Sequence, residues 1–358
     1  MKHYTLVLFI LSQTLGFSQS KEFSIKETIK SAHTTALKFA EKESVPGMAI
    51  SVSKNGKLLW SEGFGYSNLE ENVEVSPSVT QFRIASISKS LTAVALAKLM
   101  DDGKLDLDES IYTYIPDFPK KKYDFTVRQV GGHIAGIRHY NGSEFIMNKK
   151  MSIVEGLDIF KDSPLKFEPG TNYSYSTYGW NLLSVVVQNA SKVEFNQYMT
   201  HNVFKPLGMS NTTLDLSDQD MPNRTLFYNK TNAGDIRLGP EVSNEFKAAG
   251  GGFVSTSEDL IKFGNEIISP TIFSKASINE LLKEQYLTNG KGTGYGVGFG
   301  IGKTKNGTVS YSHSGGGIGA TTLLLMYPEE EIVIAIVTNL SSLPIRDFGK
   351  QLEDIFIN

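Results

Sequence analysis

The chain has 358 residues, of which 40% are hydrophobic and 20% are charged, and its formal net charge is −3. This composition excludes wholesale disorder, and the slight acidity leaves no general basic footprint for nucleic acid. The absence of cysteine excludes disulfides, thiolate zinc sites and thiol nucleophiles, and the six histidines lack the H-x-H or H-x-x-x-H spacing of a histidine-rich metal centre. Chemistry must therefore come from hydroxyls, amines, carboxylates or an imidazole.

The first twenty residues are predicted to be a secretory signal. Lys2 precedes an apolar run at residues 4–15, and the small residues Gly16, Ser18 and Ser20 follow it. The run is shorter than the ~20 apolar residues that a membrane span requires. We therefore expect cleavage near residues 18–20 and a periplasmic or secreted protein without a membrane span.

The remaining pattern predicts a mixed fold in which strands lie at both ends of the chain. Helical spacing covers residues 25–43, and a hairpin with an Asn55-Gly56 turn joins residues 48–54 and 58–64. Mostly helical signals extend over residues 86–218, and a closing helix covers 345–357. Between them, strands are predicted at residues 295–301, 308–311, 321–327 and 332–338. We expect one antiparallel sheet completed by both chain ends.

This order of elements predicts two lobes with the active site between them. Residues 21–80 and 245–358 would form the α/β sheet domain, and residues 81–244 the mainly helical lobe. Residues 296–304 (GVGFGIGKT) resemble a phosphate loop, but the first glycine of that motif would fall at Val297. Alternation of glycine with large apolar residues instead favours a strand with one buried face.

An S-x-x-K motif occurs four times, and one copy opens a good helix. In Ser86-Ile87-Ser88-Lys89, helical spacing places the first and last residues about 5–6 Å apart on one face, so the Lys89 amine can reach the Ser86 hydroxyl. The helix N-terminus would also favour a developing oxyanion near Ser86. The alternative is a serine that caps the helix beside a solvated lysine.

Two further motifs add candidate groups. Tyr175, in Tyr175-Ser176-Thr177, precedes a helix and would act as a general base if a nearby amine lowered its pKa. His313 precedes three glycines, residues 315–317, which let a ligand approach backbone N–H groups. Taken singly, a tyrosine in this position is more often a packed aromatic residue, and a histidine followed by three glycines is a flexible turn as often as a site.

In this order and spacing, the three motifs resemble the serine β-lactamase and penicillin-binding protein superfamily, in particular its class C-like branch. The stretches G-I-R-H-Y (136–140), Y-S-T-Y-G (175–179) and A-G-G-G-F (249–253) are most similar to the mitochondrial serine β-lactamase-like protein and its bacterial relatives. The resemblance covers nearly the whole mature chain. It implies an α+β fold of the β-lactamase/DD-peptidase type and no metal or organic cofactor.

The resemblance also implies roles for the catalytic residues. Ser86 would be the nucleophile that forms an acyl-enzyme, and Lys89 would activate it. Tyr175 would shuttle protons to the leaving group and to the deacylating water. His313 holds the place usually taken by lysine, and the backbone N–H groups of Ser86 and Gly316 would form the oxyanion hole.

Three departures from the family pattern weaken the case for efficient penicillin hydrolysis. Thr177, a candidate substrate-binding residue with Gly315 and Gly316, replaces an asparagine. His313 would make a carboxylate-binding charge depend on pH. Residues 130–136 (VGGHIAG) replace a stretch closer to L-L-S-H-x-S-G, which would loosen a loop beside the site.

Two classes of function follow. The first is an exported serine hydrolase acting on a small-molecule or peptide substrate that contains an amide or ester. The second is a protein whose output is binding or assembly, either a penicillin-binding sensor that acylates without turnover or a polymer-former. The complete set of Ser86, Lys89 and Tyr175 favours the enzyme, since a sensor needs no deacylation machinery.

Overall fold

The computed structural model describes the backbone of residues 4–357 and the side chains of residues 24–357, so the side chains of the predicted signal, residues 1–20, lie outside the described residues. The helices are α1 (Tyr4–Glu43), α2 (Ile87–Asp101), α3 (Ile111–Tyr114), α4 (Val127–Gly131), α5 (Thr177–Ser191), α6 (Phe195–Met199), α7 (Ala248–Gly251), α8 (Ser257–Ile268), α9 (Lys275–Leu282) and α10 (Ile345–Phe356). The strands are β1 (Gly47–Lys54), β2 (Lys57–Asn68), β3 (Val73–Glu74), β4 (Phe82–Arg83), β5 (Thr213–Leu214), β6 (Tyr228–Lys230), β7 (Ile236–Leu238), β8 (Phe253–Ser255), β9 (Gly300–Lys303), β10 (Val309–Gly317), β11 (Ala320–Tyr327) and β12 (Ile332–Thr338).

The main sheet joins the two ends of the chain. Its seven strands are antiparallel and run in the order β3-β2-β1-β12-β11-β10-β9. The register pairs Met48 of β1 with Thr338 of β12, so the N-terminal hairpin extends the C-terminal meander. The antiparallel sheet and the α+β class predicted from the sequence are confirmed.

The centre of the sheet is buried on both faces, and its strand β12 is apolar at every position from Ile332 to Val337. In β12, Ile332, Ile334 and Ile336 pack into a core with α1 and α10, whereas the intervening Val333 and Val337 face α8 and the helical lobe. Successive side chains of a strand point to opposite faces, so one apolar run serves two layers. Among the residues that the structure describes, no helix combines the length and hydropathy needed to cross a bilayer.

The helical lobe is built around α2 and α5. Side chains on every side of α2 are buried, including Leu91, Val94 and Leu99, which is typical of a helix inside a core. Trp180 and Leu183 of α5 pack in the same core. The sheet and this lobe meet where the N-terminus of α2, the loop before α5 and the strand β10 converge.

The strand predicted over residues 295–301 is wrong. Only Gly300 and Ile301 of that segment lie in a strand, and the N–H of Gly296 donates to the carbonyl of Phe299 at 2.8 Å across a tight turn. Gly298 has φ of +84°, and a Cβ there would lie 2.9 Å from Ala93 of α2. Glycine at this position therefore permits a turn that packs on α2, whereas the alternation of glycine with large apolar residues had predicted an extended strand.

The predicted loosening of residues 130–136 is also wrong. A Cβ on Gly131 would lie 2.6 Å from Val297, and one on Gly132 would lie 2.6 Å from Gln285. The missing side chains allow this segment to pack closely against residues 285–297. The loop beside the site is thus held by contacts that larger residues would prevent.

Candidate active site

Ser86 lies at the junction of a strained turn and the helix α2. The preceding residue, Ala85, has φ of +44°, a left-handed conformation that is costly for a residue with a Cβ. Ser86 occupies the N-cap position, yet its side chain makes no capping hydrogen bond. The capping role considered from the sequence is therefore wrong, and the hydroxyl is available for other partners.

Lys89 is completely buried one helical turn after Ser86. Its Nζ lies 3.0 Å from Ser86 Oγ and also donates to the carbonyl of Gly250 in α7. No carboxylate pairs with it among the described residues, and burial places its pKa well below 10.5. The solvated lysine of the alternative reading is excluded, and a neutral amine beside the hydroxyl is favoured.

Tyr175 completes a group of three around the Ser86 hydroxyl. The phenol shares a hydrogen bond with Ser86, and its ring centre lies 5.0 Å from Lys89 Nζ. Burial raises the pKa of Tyr175 well above 10, although the hydrogen bond from Ser86 opposes this shift. The expected lowering of its pKa is wrong, so the resting phenol carries its proton.

His313 is a neutral hydrogen-bonding residue in this structure. Its Nδ1 lies 2.8 Å from the carbonyl of Ser314, which can only accept, so Nδ1 carries the proton. Its Nε2 therefore accepts from the Tyr295 hydroxyl, also at 2.8 Å. Burial lowers the pKa of His313 to about 3.

These contacts correct the expectation that His313 binds a carboxylate in a pH-dependent way. An imidazole with so low a pKa stays neutral across the physiological range, so it is not a pH-dependent anchor for a carboxylate. Its hydroxyl partner is Tyr295, and Tyr175 lies farther away, with 6.5 Å between the two ring centres. Tyr295 was missed because it lies in the segment predicted as a simple strand.

Of the three candidate substrate-binding residues, Gly316 and Thr177 line the cavity beside Ser86, and Gly315 does not. Gly316 is exposed on β10 and faces Ser86, and the nearly buried Thr177 begins α5 and lines the same cavity. Gly315 is buried instead, and a Cβ there would lie 2.3 Å from the carbonyl of Ile84. Gly315 therefore allows β10 to approach the turn that carries the nucleophile, whereas Gly316 presents backbone to the cavity.

Two histidines that received no role from the sequence hold the loop before α5. His133 Nδ1 accepts from the N–H of Ser176, and His139 Nδ1 accepts from the N–H of Thr177, each at 3.1 Å. Burial lowers the pKa of both rings, that of His139 to about 4, so both remain neutral acceptors. They anchor the backbone that positions Tyr175.

Two cavities meet at Ser86, Tyr175 and Gly316. The narrow cavity, of about 210 Å³, also contains Thr177, His139, Tyr140, Phe145, Val242, Lys247 and Ile318. The wide cleft, of about 550 Å³, also contains Tyr173, Tyr295, Ser312, His313, Ser314 and Arg346. Lys247 and Arg346 were missed because each lies in a different element from the motifs and no spacing connects it to them.

Comparison with known proteins places this site in a family. The Beta-lactamase family model matches residues 33–353. The mitochondrial serine beta-lactamase-like protein LACTB of Homo sapiens is 30% identical over 88% of this chain and 77% of its own length.

Solved structures with the same fold include the octameric penicillin-binding protein homologue of Pyrococcus abyssi, with a TM-score of 0.78, 24% identity and coverage of 92% of this chain and 77% of that one. The D-amino acid amidase of Ochrobactrum anthropi SV3 has a TM-score of 0.79 at 21% identity, covering 93% of this chain and 99% of the amidase. The resemblance found in the sequence is confirmed, and the chain belongs to the beta-lactamase family within the serine β-lactamase and penicillin-binding protein superfamily.

Proposed function

We propose that this member of the β-lactamase-like serine hydrolase family cleaves a peptide, amide or ester through an acyl intermediate on Ser86. The observation that carries the proposal is the buried amine of Lys89, which lies 3.0 Å from the Ser86 hydroxyl with no carboxylate partner among the described residues. A neutral amine in this position is a general base for a hydroxyl that is a weak nucleophile on its own.

In the acylation step, Lys89 Nζ takes the proton of Ser86 as Oγ attacks the substrate carbonyl. The backbone N–H groups of Ser86 and Gly316 border the same cavity and would stabilise the oxyanion. Because Tyr175 rests in its protonated form, its phenol donates a proton to the leaving group as the scissile bond breaks. The Lys89 ammonium then returns its proton to the Tyr175 oxygen, which restores both groups.

Deacylation uses the same groups in the reverse direction. A water molecule takes the place of the departed leaving group and attacks the acyl carbonyl. Lys89, reached directly or through Tyr175, accepts the proton of this water, and Ser86 Oγ leaves with a proton from the same pair. A site with a complete relay for both steps supports turnover over permanent acylation.

The position of Arg346 favours substrates whose leaving group carries a carboxylate. It stands at the start of α10 in the wide cleft, where its guanidinium donates to Ser314 Oγ at 2.9 Å. A guanidinium remains charged across the neutral range and suits a carboxylate, whereas the neutral His313 offers no charge there. Arg346 thus takes the anchoring role that the sequence had suggested for His313.

Mass spectrometry of the protein after exposure to penicillin and to activated esters tests the proposal. A Ser86 adduct that forms and disappears with release of product supports a hydrolase. A persistent adduct would indicate the sensor, and no adduct with either reagent would contradict the acyl-enzyme, with Ser86→Ala as the control that cannot be labelled.

We also propose that the chain is exported, on the basis of the basic residue and the apolar run within residues 1–20. Expression of the full chain in a Gram-negative host, followed by cell fractionation and mass measurement, tests this. A periplasmic or secreted product shortened by about twenty residues supports it. A full-length product retained in the cytoplasm would contradict it.

A further inference from the structure

Lys247 brings a buried amine to the narrow cavity, and the proposed acyl transfer does not use it. The residue is 4% exposed, and its Nζ makes one hydrogen bond, 3.3 Å long, to the carbonyl of Phe145. The rings of Tyr140 and Phe246 lie 5.7 and 5.2 Å from Nζ. An ammonium has three donors, so this side chain retains capacity to bind a ligand inside the cavity.

The groups around Lys247 leave an uncompensated positive charge. Asp215 forms ion pairs with both Arg83, at 2.6 Å, and Arg224, at 2.7 Å. Glu245 accepts from the hydroxyl and the backbone N–H of Ser217. This cluster, defined as the five residues Arg83, Arg224, Lys247, Asp215 and Glu245, contains three cations and two carboxylates.

No carboxylate forms an ion pair with Lys247 in the part of the chain that the structure describes. Burial lowers the pKa of Lys247 to about 8, and the positive charge of Arg83 acts in the same direction, whereas the carboxylates of Glu245 and Asp215 act against it from a distance. The ammonium form therefore still predominates at pH 7. A buried cation without an ionic partner is costly, and an anionic ligand group would relieve that cost.

We propose that the narrow cavity is the acyl-side subsite of the enzyme and that it selects acyl groups carrying a carboxylate, which pairs with Lys247. Phe145, Val242 and Ile318 would enclose the aliphatic part of such a group. The acyl group stays attached to Ser86 after the first step, so we assign it to the narrow cavity. The leaving group then departs through the wide cleft. This inference rests on the proposed acyl transfer.

Two aryl esters of the same phenol test the subsite. In one, the acyl group is adipoyl with a free carboxylate at its far end, and in the other, that carboxylate is blocked as a methyl ester. Their kcat/KM values are measured at pH 7 after subtraction of the uncatalysed rates. For the wild-type protein we expect the anionic ester to be preferred by about tenfold or more, the scale of one charge-assisted contact. Lys247→Met should lower that ratio by about tenfold, and Lys247→Arg should keep most of it.

The matched control is Lys205→Met, which removes a charge from an exposed lysine outside both cavities and should keep the wild-type ratio. Hydrolysis of both esters by the wild type with a ratio near one would overturn the subsite and leave the proposed hydrolase standing. No hydrolysis of either ester would contradict the hydrolase itself, and the subsite with it. If Lys247→Met fails to fold, the ratios of the wild type and of Lys247→Arg decide.

Discussion

Replacing His313 with glutamine should remove part of the acid sensitivity of the fold. Glutamine can still accept from the Tyr295 hydroxyl but does not titrate. In the unfolded chain the imidazole binds a proton near pH 6.5, whereas in the folded protein it does so only near pH 3. The unfolded state therefore takes up more protons between these values, and stability falls as the pH falls.

The magnitude follows from the two pKa values. The contribution of His313 is complete above about pH 6.5 and is lost progressively as the pH falls toward about 3. Between about pH 7.5 and about pH 5.5 the wild type should lose about 1.4 kcal/mol more of its unfolding free energy than His313→Gln. The other histidines are the same in both proteins, so their contributions cancel in the difference.

Urea unfolding of both proteins at the two pH values measures this difference. The wild type should show the steeper fall toward acid, and NMR of its labelled imidazoles should show the Nδ1-protonated tautomer of His313 unchanged at pH 5.5. Equal losses in the two proteins, or a titration of His313 near pH 6.5, would refute the argument that burial keeps this ring neutral.

Four further outcomes are expected for the residues of the active site. Ser86→Ala should reduce kcat by about 10⁶ without lowering the thermal unfolding temperature, and activity within about tenfold of wild type would identify another nucleophile. Lys89→Ala and Tyr175→Phe should each lower the rate by about 10²–10⁴. The double variant should lose much less than the product of the two single losses, because the two groups share one proton path. A loss equal to that product would contradict the relay. Arg346→Gln should raise KM for substrates with a carboxylate on the leaving group by about tenfold and leave KM for uncharged esters nearly constant, and an equal change for both would exclude Arg346 as the anchor. The wild-type KM for substrates with a carboxylate on the leaving group should vary little between pH 6 and 8, since His313 stays neutral there.

Local chemistry explains which parts of this protein the sequence determined. The hairpin around Asn55-Gly56 and the apolar run of residues 332–338 follow from patterns that neighbouring residues set by themselves. Ser86 and Lys89 lie on one face of α2 because a helix of any kind brings positions three apart together. Periodicity and spacing were sufficient here because the interacting residues are close along the chain.

Only the tertiary structure decided the charge states and the outer parts of the site. The neutral state of His313 depends on its burial, and its Nε2 accepts from Tyr295, which precedes a turn that Gly298 makes possible against α2. The resting proton of Tyr175 depends on the burial of its side chain. Lys247 and Arg346 reach the two cavities from separate elements. A side chain's pKa and its access to a cavity depend on the atoms packed around it, and distant segments supply those atoms only once the chain has folded.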